Sequence, residues 1–229
     1  MFIVFEGPEG SGKSTQAGRL YRRLVSAGHP AIVTYEPGGT PLGGEIRRIL
    51  HEHDGVAISP EAELLLFCAD RAQHVRDVII PSLEAGMIVV CDRFADSSLA
   101  YQGYAHGLDL ATVEHISRWS AAGLEPTLRI YLDLPVEEGL RRKQAGREGP
   151  PAGAERVEWT RIDAQDVDFH RRVRDGYLKL VAAGDNWRVV NARAAPEVIH
   201  ESIWSEVATL LPDGGRERRR KTPIASADG

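Results

Sequence analysis

Cysteine is scarce in this chain: two residues in 229, Cys68 and Cys91, each among apolar neighbours. Two thiols exclude a disulfide framework and a cysteine-held metal cluster, and their surroundings mark them as small core residues. There is no surplus of positive charge either. Lys and Arg total 28 against 33 Asp and Glu, and the net charge of −5 argues against a general nucleic-acid binder. No apolar run approaches the roughly 18 residues that a membrane span needs. No signal-peptide pattern precedes the apolar run that starts at Phe2, so the expected location is cytoplasmic, with neither membrane nor nucleic acid as partner. Hydrophobic content of 42% and charged content of 27% are those of a globular chain, long enough for one well-buried α/β domain.

Glycine, by contrast, is placed with purpose. The run Gly7-Pro8-Glu9-Gly10-Ser11-Gly12-Lys13-Ser14-Thr15 follows directly on Phe2-Ile3-Val4-Phe5 and matches G-x-x-x-x-G-K-[ST] between a strand and a helix. Glycines let the backbone wrap an anion with its amides pointing inward. In that loop Lys13 reaches β/γ-phosphates and the Ser14 hydroxyl ligates Mg²⁺, while the helix over about 14–27 adds the positive end of its dipole. An ordinary Gly-rich turn does not account for the lysine.

Apolar strand-like runs alternate with helical stretches, the pattern of a parallel sheet with crossover helices. The strands are expected at 3–5, 31–35, 87–91, 128–134 and 187–190, and helices at 14–27, 41–51, 60–85, 110–121, 136–145, 164–183 and 196–210. The fold class is therefore α/β, a three-layer phosphate-loop architecture with a five-stranded parallel sheet. The segment 146–154 is too rich in Gly and Pro for regular structure, and Arg141, Arg142, Lys143 and Arg147 flank it. Residues 141–161 are read as a mobile lid on a domain spanning 1–211. Residues 212–229 lose hydrophobic periodicity and are read as a disordered polar tail, including Arg218-Arg219-Arg220-Lys221.

The run Met87-Ile-Val-Val-Cys91 ends in Asp92-Arg93. A strand-end aspartate beside the loop suits Mg²⁺, and an arginine next to it offers a fork for a phosphate in the same cleft. No Asn-Lys-x-Asp pattern for guanine recognition occurs. Arginines on a closing lid stabilise charge on a transferring phosphoryl group and exclude water. These features point to a kinase acting on a small phosphorylated acceptor.

Taken in order, further blocks resemble the thymidylate kinase family: Phe5-Glu-Gly-Pro-Glu-Gly-Ser-Gly-Lys-Ser-Thr15, Glu36-Pro-Gly-Gly-Thr40, Leu65-Leu-Phe-Cys-Ala-Asp-Arg71, Asp92-Arg-Phe-Ala-Asp-Ser-Ser-Leu-Ala-Tyr-Gln-Gly103 and Tyr131-Leu-Asp-Leu134. The resemblance spans residues 1 to about 211. It implies transfer from ATP, with Mg²⁺, to dTMP, and a homodimer. Glu9, Glu36, Pro37, Arg47, Phe67, Arg71, Arg93, Ser97, Ser98, Tyr101 and Gln102 would form the acceptor pocket. Phe67 would stack on thymine, Arg71 reach a thymine carbonyl, Tyr101 crowd out a ribose 2′-hydroxyl, Glu9 meet the sugar hydroxyl and Arg93 hold the acceptor phosphate. Lys13, Asp92 and Arg93 would carry catalysis. Gly10 stands where some members carry an arginine aimed at the γ-phosphate, which leaves Arg141, Arg142 and Arg147 as candidates. Two departures stand out. Tyr35 replaces an arginine common in bacterial members, and Thr160-Arg161-Ile162-Asp163 replaces Asp-Arg-hydrophobic-acid. The alternatives are a kinase for dUMP, UMP or GMP, against which Phe67, Arg71 and the 92–103 block argue, and a non-catalytic nucleotide-binding regulator.

Overall fold

The computed structural model describes residues 1–52, 57–148 and 160–211, without the side chains of 51, 52, 147 and 148. The tail 212–229 and most of the Gly/Pro segment expected to form the lid lie outside the described residues.

Five parallel strands form one sheet: β1 (Phe2–Glu6), β2 (Ala31–Tyr35), β3 (Ile88–Asp92), β4 (Leu128–Asp133) and β5 (Trp187–Asn191), in the order β2-β3-β1-β4-β5. β1 is central and buried throughout, as its unbroken apolar run requires when both faces are covered. Its side chains alternate between two layers. Ile3 and Phe5 pack with Leu20, Leu24 and Ile203, while Phe2 and Val4 pack with Val89, Cys91 and Phe94. Both cysteines are buried and free, as their surroundings required. In register, Phe5 lies opposite Asp92 and Glu6 opposite Tyr131, so the carboxyl ends of β1 and β3 finish side by side. Ligands of open α/β sheets bind in such a crevice, where the chain order reverses.

The helices are α1 (Lys13–Ser26), α2 (Pro41–Glu52), α3 (Pro60–His74), α4 (Ile80–Glu84), α5 (Ala95–Ser98), α6 (Leu110–Ser120), α7 (Val136–Glu148), α8 (Val167–Ala183) and α9 (Pro196–Ala208). Four details differ from the periodicity reading, the last being a start of α8 three residues later than expected. The single helix expected over 60–85 is interrupted by π-helical turns at Val75–Ile79. Pro81 lacks an N–H and its ring crowds the carbonyl four residues back, which a wider turn relieves. A second π-helical stretch, Leu99–Ala105, continues α5. In addition, α7 runs through Gly146 to Glu148, because one glycine costs only about 1 kcal/mol in a helix. α8 starts at Val167 with Asp166 as its cap, its carboxylate accepting from Phe169 N at 2.6 Å.

Candidate active site

The phosphate loop joins β1 to α1, and its lysine lies along the loop backbone. Lys13 Nζ donates to Gly7 O at 3.0 Å and Pro8 O at 2.8 Å, and it is 7% exposed. Burial, with Arg93 adding to it, pushes this ammonium down to about 8, against the pull of Asp92, Glu9 and Glu6. Ser14 Oγ donates to Asp92 Oδ2 at 2.5 Å, and the other oxygen, Asp92 Oδ1, is buried without a partner. One hydroxyl and one carboxylate with a spare lone pair suit Mg²⁺, which keeps waters and substrate oxygens in its shell. Among the described residues no group of three or more His, Cys, Asp or Glu is placed to hold a metal by itself. Gly10 has φ +69°, and a Cβ there would sit 2.2 Å from Gly139 O of α7. No side chain fits, so this loop cannot present an arginine of its own from that position.

Arg93 begins the turn after β3 with φ 70°, a left-handed conformation that costs a non-glycine residue roughly 1–2 kcal/mol. Its guanidinium is held from several sides. Nη2 donates to Glu9 Oε1 at 2.8 Å, and Nη1 donates to Ser97 Oγ and Tyr177 Oη, both at 3.3 Å. The plane lies 5.0 Å from the Tyr101 ring. Glu9 is also met by the Tyr101 hydroxyl at 2.6 and 2.7 Å and by His170 Nδ1 at 3.7 Å. Burial raises the Glu9 carboxyl, but Arg93, His170, Lys13 and Tyr101 outweigh it and hold the group well below the usual range. Glu6 ends β1 with no exposed surface. Burial, reinforced by Asp96, pushes it up to about 7, while Arg93, Tyr177 and Ser97 pull it back.

The base side of the pocket is less open than the sequence suggested. Arg71 is fully buried: Nε donates to Glu36 Oε2 at 2.9 Å, and Nη2 donates to Phe94 O at 3.1 Å and Ser98 Oγ at 3.2 Å. Among the described residues Nη1 contacts Cys68 Sγ at 3.9 Å and keeps a hydrogen that could serve a thymine carbonyl. Glu36 is held on its other oxygen by His74 Nδ1 at 3.0 Å, and His74 Nε2 meets Thr34 Oγ1 at 2.6 Å. Asp70 fixes the loop after β2 through Gly38 N at 3.0 Å, and its carboxyl is pushed up to about 6, by burial first and Glu36 next. Phe67, one turn before Arg71, is half-buried at the edge of a cluster with Tyr101, Phe169 and Tyr177. Gln102 donates to Glu63 Oε1 at 2.6 Å, and Glu63 also takes Arg161.

Arg47 donates to Pro37 O at 3.0 Å and lies 5.9 Å from the Tyr35 ring, so the tyrosine that replaces an arginine carries a neighbouring one on its face. Arg141 is exposed, Arg142 donates to Glu138 at 2.6 Å and Ala192 O at 2.9 Å, and the side chain of Arg147 lies outside the described residues. Sequence reasoning missed Glu6, Tyr177, His170, His74 and Glu63. Only Glu6 left a signal, as the lone charge closing an apolar strand.

A phosphate-loop pattern between β1 and α1, with an arginine ion-paired to it through Glu9, is an arrangement that suits a phosphate-loop phosphotransferase. The profile described as Thymidylate kinase matches residues 5–203. A thymidylate kinase from Roseiflexus sp. (strain RS-1) is 48% identical over 214 residues, covering 92% of this chain and 95% of the relative. One from Geotalea uraniireducens (strain Rf4) is also 48% identical, covering 93% and 99%. Among solved structures, thymidylate kinase from Ehrlichia chaffeensis is similar with a TM-score of 0.71 and 28% identity, covering 90% of this chain and 98% of that one. The chain belongs to the thymidylate kinase family.

Proposed function

We propose that the chain performs the reaction of its family, ATP-dependent phosphorylation of dTMP to dTDP, with the loop 7–15 as donor site and Arg93 as the acceptor-phosphate arginine. Family membership supports the activity, and the ion pair of Arg93 with Glu9 supports the roles, since it ties the acceptor arginine to the donor loop. Lys13 leaves Gly7 O and Pro8 O for the β/γ-phosphates. Ser14 and Asp92 would hold Mg²⁺, which when bound would neutralise charge on the phosphates. The acceptor oxygen is already ionised, so no strong general base is needed. An O–P bond forms to the γ-phosphorus as its bond to the β-bridging oxygen breaks, and ADP leaves. Catalysis is positioning and charge neutralisation.

Phe67 provides the stacking face for the base, with Arg71 Nη1 and Ser98 nearby; Tyr101, held on Glu9, closes the sugar side. Phe67→Ala raises KM for dTMP about tenfold, since base–aromatic stacking is worth roughly 1–3 kcal/mol. KM for ATP stays within about twofold. Steady-state kinetics with each substrate varied checks this, and equal rises in both constants would make Phe67 a packing residue only.

We also read the chain as a homodimer. Leu42 and Ile49 lie seven residues apart on one face of α2, and with Leu65 on α3 and Trp119 on α6 they expose apolar surface on neighbouring helices. Sedimentation equilibrium is expected to give twice the 25.1 kDa chain mass; a monomer contradicts the reading. A cytoplasmic location suits an enzyme using the ATP pool, and cell fractionation with activity in the cytosol checks it. No described helix is long and apolar enough to cross a membrane.

A further inference from the structure

We infer that Glu6 is a positioning residue for the acceptor phosphate: its buried carboxylate sets the backbone turn and the hydroxyl polarity that hold the Arg93 guanidinium. The inference rests on the reading of Arg93 as the acceptor-phosphate arginine.

Glu6 touches no site for substrate, yet it sits where donor and acceptor machinery join, one residue before the phosphate loop and opposite Tyr131 of β4. A fully buried carboxylate is costly unless donors surround it. Three do. Oε1 accepts from Phe94 N at 2.9 Å, and Oε2 accepts from Ser97 Oγ and from Tyr177 Oη, each at 2.7 Å. Phe94 and Ser97 bracket the residues just after Arg93, so the acid holds the turn that keeps Arg93 at φ 70°. The backbone of Arg93 is pinned in the same place by its own N–H to Phe5 O at 2.9 Å and by Cys91 Sγ to its carbonyl at 3.1 Å.

The hydroxyls carry the second half of the argument. Ser97 Oγ and Tyr177 Oη lie 2.9 Å apart and each carries one proton; when Glu6 is ionised, its acceptor-only carboxylate, 2.7 Å from both, draws those protons away from the contact between them. Their lone pairs then remain for Arg93 Nη1, which donates to both oxygens at 3.3 Å. With Glu9 fixing Nη2, the fork is held at both terminal nitrogens.

Glu6→Gln is nearly isosteric but reverses this polarity. Phe94 N needs an acceptor, so the amide oxygen faces it and the NH₂ faces the two hydroxyls, turning their protons toward a cation. Binding of dTMP and of thymidine, which lacks the 5′-phosphate, separates positioning of Arg93 from general damage to the pocket. In wild type dTMP binds more tightly than thymidine, and Arg93→Lys removes most of that difference. Glu6→Gln is expected to weaken dTMP by about tenfold or more with thymidine within about twofold, and to lower kcat by about 100-fold, the scale of a 1 Å misplacement, at unchanged KM for ATP. Tyr177→Phe, which deletes one relay hydroxyl and keeps the ring, is expected to shift the dTMP-to-thymidine ratio the same way by a smaller factor. An unaltered ratio in both variants overturns the inference, as does equal weakening of both ligands. A dTMP preference that survives Arg93→Lys overturns the reading of Arg93 itself.

Discussion

Lys13→Ala lowers kcat/KM by about 10³-fold while the protein stays folded. The expected size is that of removing one preorganised positive group from the charge that develops on a transferring phosphoryl. Lys13 packs against loop backbone, not the apolar core: its ammonium holds Gly7 O and Pro8 O, and both are loop carbonyls that water can serve after the change. Circular dichroism and the thermal midpoint are expected to remain close to wild type, and near-normal turnover would remove Lys13 from its role. The same residue gives a pH signature. Burial, then Arg93, depresses it to about 8, so kcat/KM for ATP, which reports the free enzyme, falls as pH rises through about 8. Its effect on stability has the opposite sign. The unfolded chain keeps this proton up to the ordinary lysine value of 10.5 while the folded chain releases it near 8, so between those values the unfolded state binds more protons and Lys13 adds stability as pH rises. Loss of ATP capture above pH 8 together with loss of fold would assign the profile to another group.

Arg93→Lys lowers kcat/KM for dTMP by about 100-fold. Charge is preserved, so Glu9, which is 9% exposed, keeps a counter-ion and the fold survives. What is lost is the fork: lysine is a point charge and cannot meet Glu9, Ser97, Tyr177 and a phosphate in one plane. KM for ATP is expected to change far less than KM for dTMP. A loss confined to ATP would move Arg93 to the donor side.

How much of this was legible in the chain depends on range. The phosphate loop, the strand-end Asp92 and the five parallel strands are written locally, in periodicity and in one short pattern, and they stand in the structure where they were expected. Arg71 shows the limit. The family resemblance points it at a base, but Glu36, Phe94 O and Ser98 arrive from other segments and claim most of its donors. Tyr177 and His74 read as plain helix-face residues. Their roles exist only because α8 and α3 bring them to Glu6 and Glu36 across long stretches of chain. The π-helical turns were invisible because no spacing rule for hydrophobic residues signals a widened turn, although Pro81 marked the place where a regular helix fails.

ADP release from ATP and Mg²⁺, with dTMP, dUMP, UMP, GMP and AMP offered separately, tests the central claim most directly. The account predicts turnover with dTMP at least tenfold faster than with any other acceptor, because a stacking ring, an inward arginine and a tyrosine on Glu9 address base and sugar together while Arg93 takes the phosphate. Comparable turnover with UMP or GMP would contradict it, leaving the donor loop standing and the assignments of Phe67, Arg71 and Tyr101 wrong.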